Sequence, residues 1–99
     1  MESNISTIEK NKVKVKKPKH YNVIMHNDDF TTMEFVVDVL VNIFNKKMEE
    51  ANKIMIDVHQ KGKGIAGVYP YDIAVSKAST AMSLAKEEGF PFKLSVEEV

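Results

Sequence analysis

Residues 26–40 read HNDDFTTMEFVVDVL, and this stretch decides the fold because it joins the end of a strand, an acidic turn and the start of an apolar helix. Thr31 and Glu34 have the S/T-x-x-E spacing of a capping box. In that motif the threonine hydroxyl accepts a bond from a first-turn amide, and the glutamate returns to the N–H of the cap residue. The spacing predicts a helix that begins near Thr31 or Thr32.

Residues 27–29 (NDD) place three side-chain acceptors immediately before that helix, where free amides and the positive end of the helix dipole point. Ordinary turn and capping chemistry explains one such residue. Three in a row exceed what a single cap needs, and Phe30, Met33 and Val36 are apolar enough to wall a pocket beside them. We therefore consider both a simple turn and a site for a cation or an amine.

The composition indicates one small domain with a modest core, because the chain has 99 residues, of which 43% are hydrophobic, and no tryptophan. Without cysteine it forms neither a disulfide framework nor a thiolate metal site, and a reducing compartment is the natural reading. No apolar run is long enough for a signal peptide or a membrane span. We expect a soluble, cytosolic monomer that does not bind a membrane.

The charge is unevenly spread, although the formal net charge is zero. Residues 1–19 hold six lysines against two glutamates, which gives them a net charge of +4 and leaves −4 for residues 20–99. A segment this polar buries too little apolar surface to offset its ordering entropy, so we predict a flexible N-terminal extension over 1–19 and a folded domain over 20–99. All fourteen basic residues are lysine, which argues against an arginine-based nucleic-acid arm.

Hydrophobic periodicity places the first strand and two helices. Residues 20–26 alternate as a strand that is apolar on one side and mixed on the other. Residues 33–44 are rich in β-branched side chains, but their length and the polar pair Asp38 and Asn42 on one face favour a helix. A second helix is predicted over 47–60, with Gly62 just past its end.

The second half of the chain supplies two strands and a helix. Residues 64–69 (GIAGVY) read as a short strand in which Gly67 marks a bulge or a close backbone approach. A helix over 72–88 follows Pro70 and carries a stripe of alanines, and residues 92–97 alternate as the last strand.

This order of elements, β-α-α-β-α-β, limits the possible topologies. Two helices between the first and second strands make those strands antiparallel, whereas one helix between the second and third leaves them parallel. The first strand can then pair antiparallel with both of the others. We predict an α+β sandwich with strand order 2-1-3 and three helices on one face.

The motifs together resemble the ClpS family of adaptor proteins, which deliver substrates to bacterial Clp-type AAA+ proteases. The resemblance rests on NDDFTTMEFVVDVL, on IMIDVH followed by a glycine-rich turn and GVY, and on a D-x-A-x-x-K motif with a late Gly-x-Pro. It covers residues 20–96 in order. It implies recognition of proteins by a bulky hydrophobic first residue (Leu, Phe, Tyr or Trp), which is the N-degron, and an N-terminal extension that takes part in delivery.

The resemblance also implies roles for individual residues. The group that would surround the substrate's α-amino group comprises Asn27, Asp28, Asp29 and His59. The pocket for the first side chain would be formed by Thr31, Met33, Val36, Met55, Val58 and Phe92. Asp72 and Lys77, on the exposed side of the third helix, match the family's contact with the N-terminal domain of a ClpA- or ClpC-like unfoldase. The chain departs from the family at Thr32, where proline is frequent, and at Phe92, where leucine is common.

Other readings stay open at this point. His59 near the end of a helix is favourable simply because of the helix dipole, and the three histidines show no paired spacing of the kind metal sites use. We expect no metal or cofactor. A hydrolase would need a nucleophile, yet the chain has no cysteine and no G-x-S-x-G motif, so we predict that it is not an enzyme. A structural or ribosome-associated interaction module is the remaining alternative.

Overall fold

The computed structural model describes residues 18–99, and it has the predicted order of elements. The strands and helices, numbered in chain order, are β1 (Tyr21–His26), α1 (Met33–Asn42), α2 (Met48–Lys61), β2 (Lys63–Tyr69), α3 (Tyr71–Glu88) and β3 (Lys93–Glu98). The predicted boundaries of the strands and helices are correct to within two residues. The predicted N-terminal extension falls almost entirely on residues 1–17, outside the described residues.

The sheet has the order β2-β1-β3, and β1 is antiparallel to both neighbours. Tyr21 pairs with Tyr69 on one side and with Glu98 on the other. This confirms the predicted α+β topology. Because β1 is the central strand, the turn that follows His26 lies in the middle of the end of the sheet at which β1 finishes.

A bulge interrupts the β1–β2 pairing at the position that Gly67 predicted. Val23 faces Gly67 and Ile24 faces Ile65, so Ala66 is the extra residue. The ring of Tyr69 also lies over Gly67, where a Cβ would be only 2.6 Å from the tyrosine Oη. Both reasons proposed for this glycine therefore apply.

Residues with a left-handed backbone conformation lie at or just after the ends of α1 and α2. α1 stops at Asn42 rather than at the predicted Phe44, and Asn45 soon afterwards adopts a positive φ of 55°. α2 ends at Gly62, whose φ of 90° suits glycine. A Cβ on Gly64 would lie 3.0 Å from Val58 Cγ2, so α2 approaches β2 very closely.

The core lies between the sheet and the helices. Val23, Met25 and Leu40 are its largest fully buried side chains. α3 contributes a stripe of small residues, which lets the helix pack closely on β1 and β3; these residues are Ala74, Ala78, Ala81 and Ala85. α2 packs on β2 and α1 against α2, which brings the start of α1 close to the end of α2.

Candidate functional site

The site begins where the chain leaves β1 and turns toward α1. The backbone N–H of Asn27 donates to the carbonyl of Gly62 over 2.9 Å, and His26 pairs with Lys63 in the ladder. These contacts tie the turn to the C-terminal end of α2, where His59 lies. The turn and the last turn of α2 are therefore held together by backbone bonds.

Asp28 organises that turn. Its Oδ1 accepts from the backbone N–H groups of Phe30 (2.8 Å) and Thr31 (2.7 Å), and its Oδ2 accepts from the hydroxyl of Thr31 over 2.7 Å. Burial alone would raise the pKa of Asp28, but the bonds from Thr31 and Phe30 outweigh it and hold the pKa below its usual value of 3.8. Asp28 is thus an ionised carboxylate that the turn already uses.

Thr32, rather than Thr31, caps α1. Its hydroxyl accepts from the N–H of Phe35 over 3.1 Å, and its backbone is extended, as a cap requires. The predicted capping box of Thr31 and Glu34 is therefore wrong, because Asp28 binds the Thr31 hydroxyl and moves the cap one residue along. With Thr32 as the cap, a capping-box glutamate would have to be the third residue of α1, and that residue is Phe35.

Three other polar side chains, two in the turn and one in α2, form no side-chain hydrogen bonds in the part of the chain that the structure describes. The side chains of Asn27, Asp29 and His59 are exposed, and none of the three takes part in a side-chain hydrogen bond within residues 18–99. His59 lies in the last turn of α2, as predicted. One amide, one carboxylate and one imidazole are consequently available to a ligand.

The apolar half of the site comes from the facing sides of α1 and α2. Val36 and Val58 are buried, and they form a fixed floor. Met33 is 46% exposed, and Met55 is half-buried, so both thioether side chains reach the opening. Methionine side chains adapt to several ligand shapes.

Together these groups enclose a cavity of about 380 Å³, which is within the usual size of a small-ligand site. Its lining residues are Asn27, Asp28, Asp29, Thr31, Thr32, Met33, Val36, Met55, Val58 and His59. All the residues predicted for amine binding are present, and so are five of the six predicted for the apolar pocket. Thr32 is an addition, because the sequence suggested only an effect on helix entry.

Two aromatic residues differ from the expectation. Phe30 does not line the cavity, and its side chain is 71% exposed. Phe92 is buried and also does not line the cavity; its ring packs edge to face with Phe35 at a centroid distance of 6.1 Å. Phe92 therefore lies in the core, where it supports α1.

The two residues assigned to the unfoldase contact lie on α3, apart from this cavity. Asp72 is exposed in the first turn. Lys77 is partly buried, contrary to the expectation of an exposed side chain. Its Nζ donates to the Ile43 carbonyl over 2.6 Å and lies 5.3 Å from the centre of the Tyr69 ring.

Three further observations concern metal-binding groups, membrane-spanning helices and a polar contact outside the cavity. Across residues 18–99 no group of three or more His, Cys, Asp and Glu side chains could hold a metal ion, and no helix in that range is long and apolar enough to cross a membrane. Ser95 Oγ and His26 Nε2 lie 2.7 Å apart in a hydrogen bond. The alternation of β1 places His26 on the face of the sheet that the helices do not cover, away from the cavity.

Comparison with known proteins places these features in one family. Residues 16–95 match the family model described as ATP-dependent Clp protease adaptor protein ClpS. A ClpS adapter from Clostridium acetobutylicum is 57% identical over 90 residues, which cover 91% of this chain and 89% of the relative. Another, from Lawsonia intracellularis, is 51% identical over 86 residues and covers 87% and 79% of the two chains.

A solved structure is also similar. Agrobacterium tumefaciens ClpS2 bound to L-phenylalaninamide superposes with a TM-score of 0.81 and 37% sequence identity, covering 84% of this chain and all of the other. L-Phenylalaninamide carries a free α-amino group, a benzyl side chain and an uncharged amide in place of the carboxylate. It therefore has the chemistry of a phenylalanine at the start of a peptide.

Proposed function

The chain belongs to the ClpS family of ATP-dependent Clp protease adaptor proteins, and we propose that its cavity binds the first residue of proteins destined for degradation. The observation that carries this proposal is the cavity beside residues 27–29, which joins free polar acceptors to an apolar floor. The ligands would be N-degrons with Leu, Phe, Tyr or Trp as the first residue. The protein would deliver them to a Clp-type unfoldase and protease.

The polar end of the cavity suits an α-amino group. With a reference pKa near 8, that group is mostly an ammonium with three N–H donors at neutral pH. Asn27, Asp29 and His59 line the cavity and offer three acceptors, and none of them takes part in a side-chain hydrogen bond with a described residue. Asp28 adds negative charge nearby while it holds the turn. An acetylated N-terminus has neither the charge nor the three donors.

The apolar end suits a large side chain. Val36 and Val58 give it a floor, and the thioethers of Met33 and Met55 narrow its mouth. The amine and the side chain of one residue are only a few bonds apart, so the two ends of the cavity can act together on the first residue of a chain. Phe92, behind Phe35, would influence this pocket by positioning α1.

The proposed partner is the N-terminal domain of a Clp-family AAA+ unfoldase, of the ClpA or ClpC type, bound by a monomer of this protein. Asp72 is exposed and available for that contact. Lys77 would take part in the unfoldase contact while its ammonium group keeps its hydrogen bond to the Ile43 carbonyl and its position beside the rings of Phe44 and Tyr69. A substitution of Lys77 would therefore also disturb contacts within this protein. Asp72→Ala should therefore test the contact more cleanly than a substitution of Lys77.

We further propose that the protein has no catalytic activity of its own, since the family is one of adaptors. A cytosolic location stays a prediction. No observation favours the alternative of a structural or ribosome-associated module.

The test is peptide binding by fluorescence polarisation, with peptides that differ only in the first residue. Peptides that begin with Leu, Phe, Tyr or Trp should bind, and those that begin with Ser or Gly should not. Equal affinity across the panel would rule out recognition of the first side chain. Incubation of the same peptides with the protein alone should leave them uncleaved.

A further inference from the structure

A groove of about 470 Å³ lies between α1 and the C-terminal end of α3, and it shares only Thr32 with the proposed peptide cavity. Its floor is apolar. Phe35 and Phe90 stack edge to face there with centroids 5.2 Å apart, and Leu84, which is 40% exposed, continues the floor along α3. We call this feature the α1–α3 groove.

Acidic residues border the groove on both sides. Glu34 and Asp38 come from α1, and Glu88 comes from α3. No lysine lines the groove, and none of these three carboxylates forms an ion pair in the part of the chain that the structure describes. Glu34 and Asp38 are also four residues apart, a spacing at which like charges destabilise a helix by a few tenths of a kcal/mol. The fold alone gives no reason for this arrangement.

One segment of the chain has the complementary chemistry. Residues 10–17 read KNKVKVKK, with five lysines, two valines and no acidic residue. In an extended chain, successive side chains alternate between two sides, so the two valines would face one way. Lysine stems can lie along an apolar surface while their ammonium groups reach carboxylates at its edge.

The length and attachment of this segment also fit. Residue 18 leads into β1, whose first residue, Tyr21, pairs with Tyr69. The ring of Tyr69 lies beside the ammonium group of Lys77. That ammonium donates a hydrogen bond to the carbonyl of Ile43, which lines one end of the groove. Eight extended residues span up to about 28 Å, whereas the ten residues of α1 are about 15 Å long. The segment can therefore reach the groove and lie along it.

We propose that the α1–α3 groove is an intramolecular docking site for residues 10–17 of this same chain. A tethered segment acts at an effective concentration in the millimolar range, so even a site with a dissociation constant of about 1 mM would be about half occupied. Docking would depend strongly on salt, because exposed charge pairs are screened. It would hold the segment against the body until a partner or salt displaces it.

Paramagnetic relaxation enhancement by nuclear magnetic resonance tests this directly, in the full chain. The protein has no cysteine, so Asn11→Cys gives a single site for a spin label. At about 20 mM salt the label should attenuate the amide signals of Leu84 and Glu88, in the groove, by about half or more. The amides of Lys63 and Ile65, on β2, should keep their intensity, and about 500 mM salt should remove the effect.

A pair of variants provides the control. Asp38→Asn with Glu88→Gln removes one carboxylate from each side of the groove and should abolish the attenuation. Glu49→Gln with Glu97→Gln removes the same charge from exposed positions outside the groove and should preserve it. The spectra themselves report whether each variant is folded, and the salt titration of the unsubstituted groove gives an independent answer.

Three results would overturn the proposal. One is equal attenuation in the groove and on β2, and another is attenuation that neither salt nor the groove variant changes. The third is attenuation seen only between labelled and unlabelled molecules in a mixture, which would indicate contact with a second copy. None of these measurements uses a peptide, so failure here leaves the proposed peptide binding untouched.

Discussion

The hydroxyl of Thr31 donates a 2.7 Å hydrogen bond to Oδ2 of Asp28, while the Thr31 N–H donates to Oδ1 of the same carboxylate. This pair closes the turn between β1 and α1 and leaves Asp28 with little capacity for a further donor. The side chain of Asp29, next to it, has no hydrogen-bond partner among residues 18–99 and lines the cavity. The two neighbouring aspartates should therefore have different roles, Asp28 in folding and Asp29 in binding.

Substitution of each aspartate by asparagine should separate these roles. Asp29→Asn should weaken peptide binding by about 1.5–3 kcal/mol, or roughly tenfold to over a hundredfold, with unchanged stability. Asp28→Asn should lower the free energy of unfolding by about 1 kcal/mol, as the loss of a capping interaction does. Fluorescence polarisation and urea denaturation measure the two effects, and the opposite assignment of losses would show that the roles are reversed.

The Asp28 effect should also depend on pH. Because its pKa is lower in the folded state than its ordinary value of 3.8, the ionised group contributes stability at and above that value, and this contribution is lost as the pH falls through the lowered pKa. The stability difference between the unsubstituted protein and Asp28→Asn should therefore shrink below pH 3.8.

Met33→Ala should widen the cavity and admit peptides that begin with Ile or Val. Met33 stands at the mouth, 46% exposed, where its side chain would crowd a branch at the ligand's Cβ. The ratio of affinities for Leu-first and Ile-first peptides is the measurement. Met48→Ala, at an exposed methionine outside the cavity, is the matched control. If Met33→Ala leaves the ratio unchanged, the selectivity arises elsewhere.

Deletion of residues 1–17 should leave peptide affinity unchanged but abolish delivery to the protease. The deletion keeps Lys19, which forms an ion pair with Glu98, and the His20 carbonyl, which accepts a hydrogen bond from the Val99 N–H. The contacts between the start of β1 and the end of β3 are therefore retained. The removed residues have no pocket-type aromatic side chain, and polar, lysine-rich segments suit engagement by another protein. Degradation of an N-degron substrate at the normal rate by the truncated protein would refute this.

His59→Leu should weaken peptide binding, because the His59 imidazole lines the cavity and can offer a hydrogen-bond acceptor to the ligand's ammonium. Fluorescence polarisation with a Phe-first peptide measures the loss. Unchanged affinity in that variant would make His59 a helix-end residue only.

The sequence predicted the elements well because each carries a local signal. The first strand alternates, α2 ends at Gly62, and α3 presents its alanines at helical spacing. The helix cap was misplaced by one residue, because Thr31 and Thr32 are equivalent locally until the bond from Thr31 to Asp28 distinguishes them.

Features that depend on distance in space were less accessible. Phe30 looked like a pocket wall by composition, but the turn directs it into solvent. The bond from Lys77 to the Ile43 carbonyl joins residues 34 positions apart, and no local pattern indicates it. The prediction that residues 27–29 lie beside His59 came from the family resemblance. The α1–α3 groove depends on the distance between two helices, so it became visible only in the structure.

The central claim is that the cavity binds a charged α-amino group together with a bulky first side chain. The most direct measurement compares, by fluorescence polarisation, a Phe-first peptide that has a free amino group with the same peptide acetylated at that group. We predict binding of the free peptide and a loss of at least about a hundredfold, or about 2.7 kcal/mol, on acetylation, because the amide has no charge and one donor where the ammonium has three. Equal affinity for the two peptides would contradict the claim.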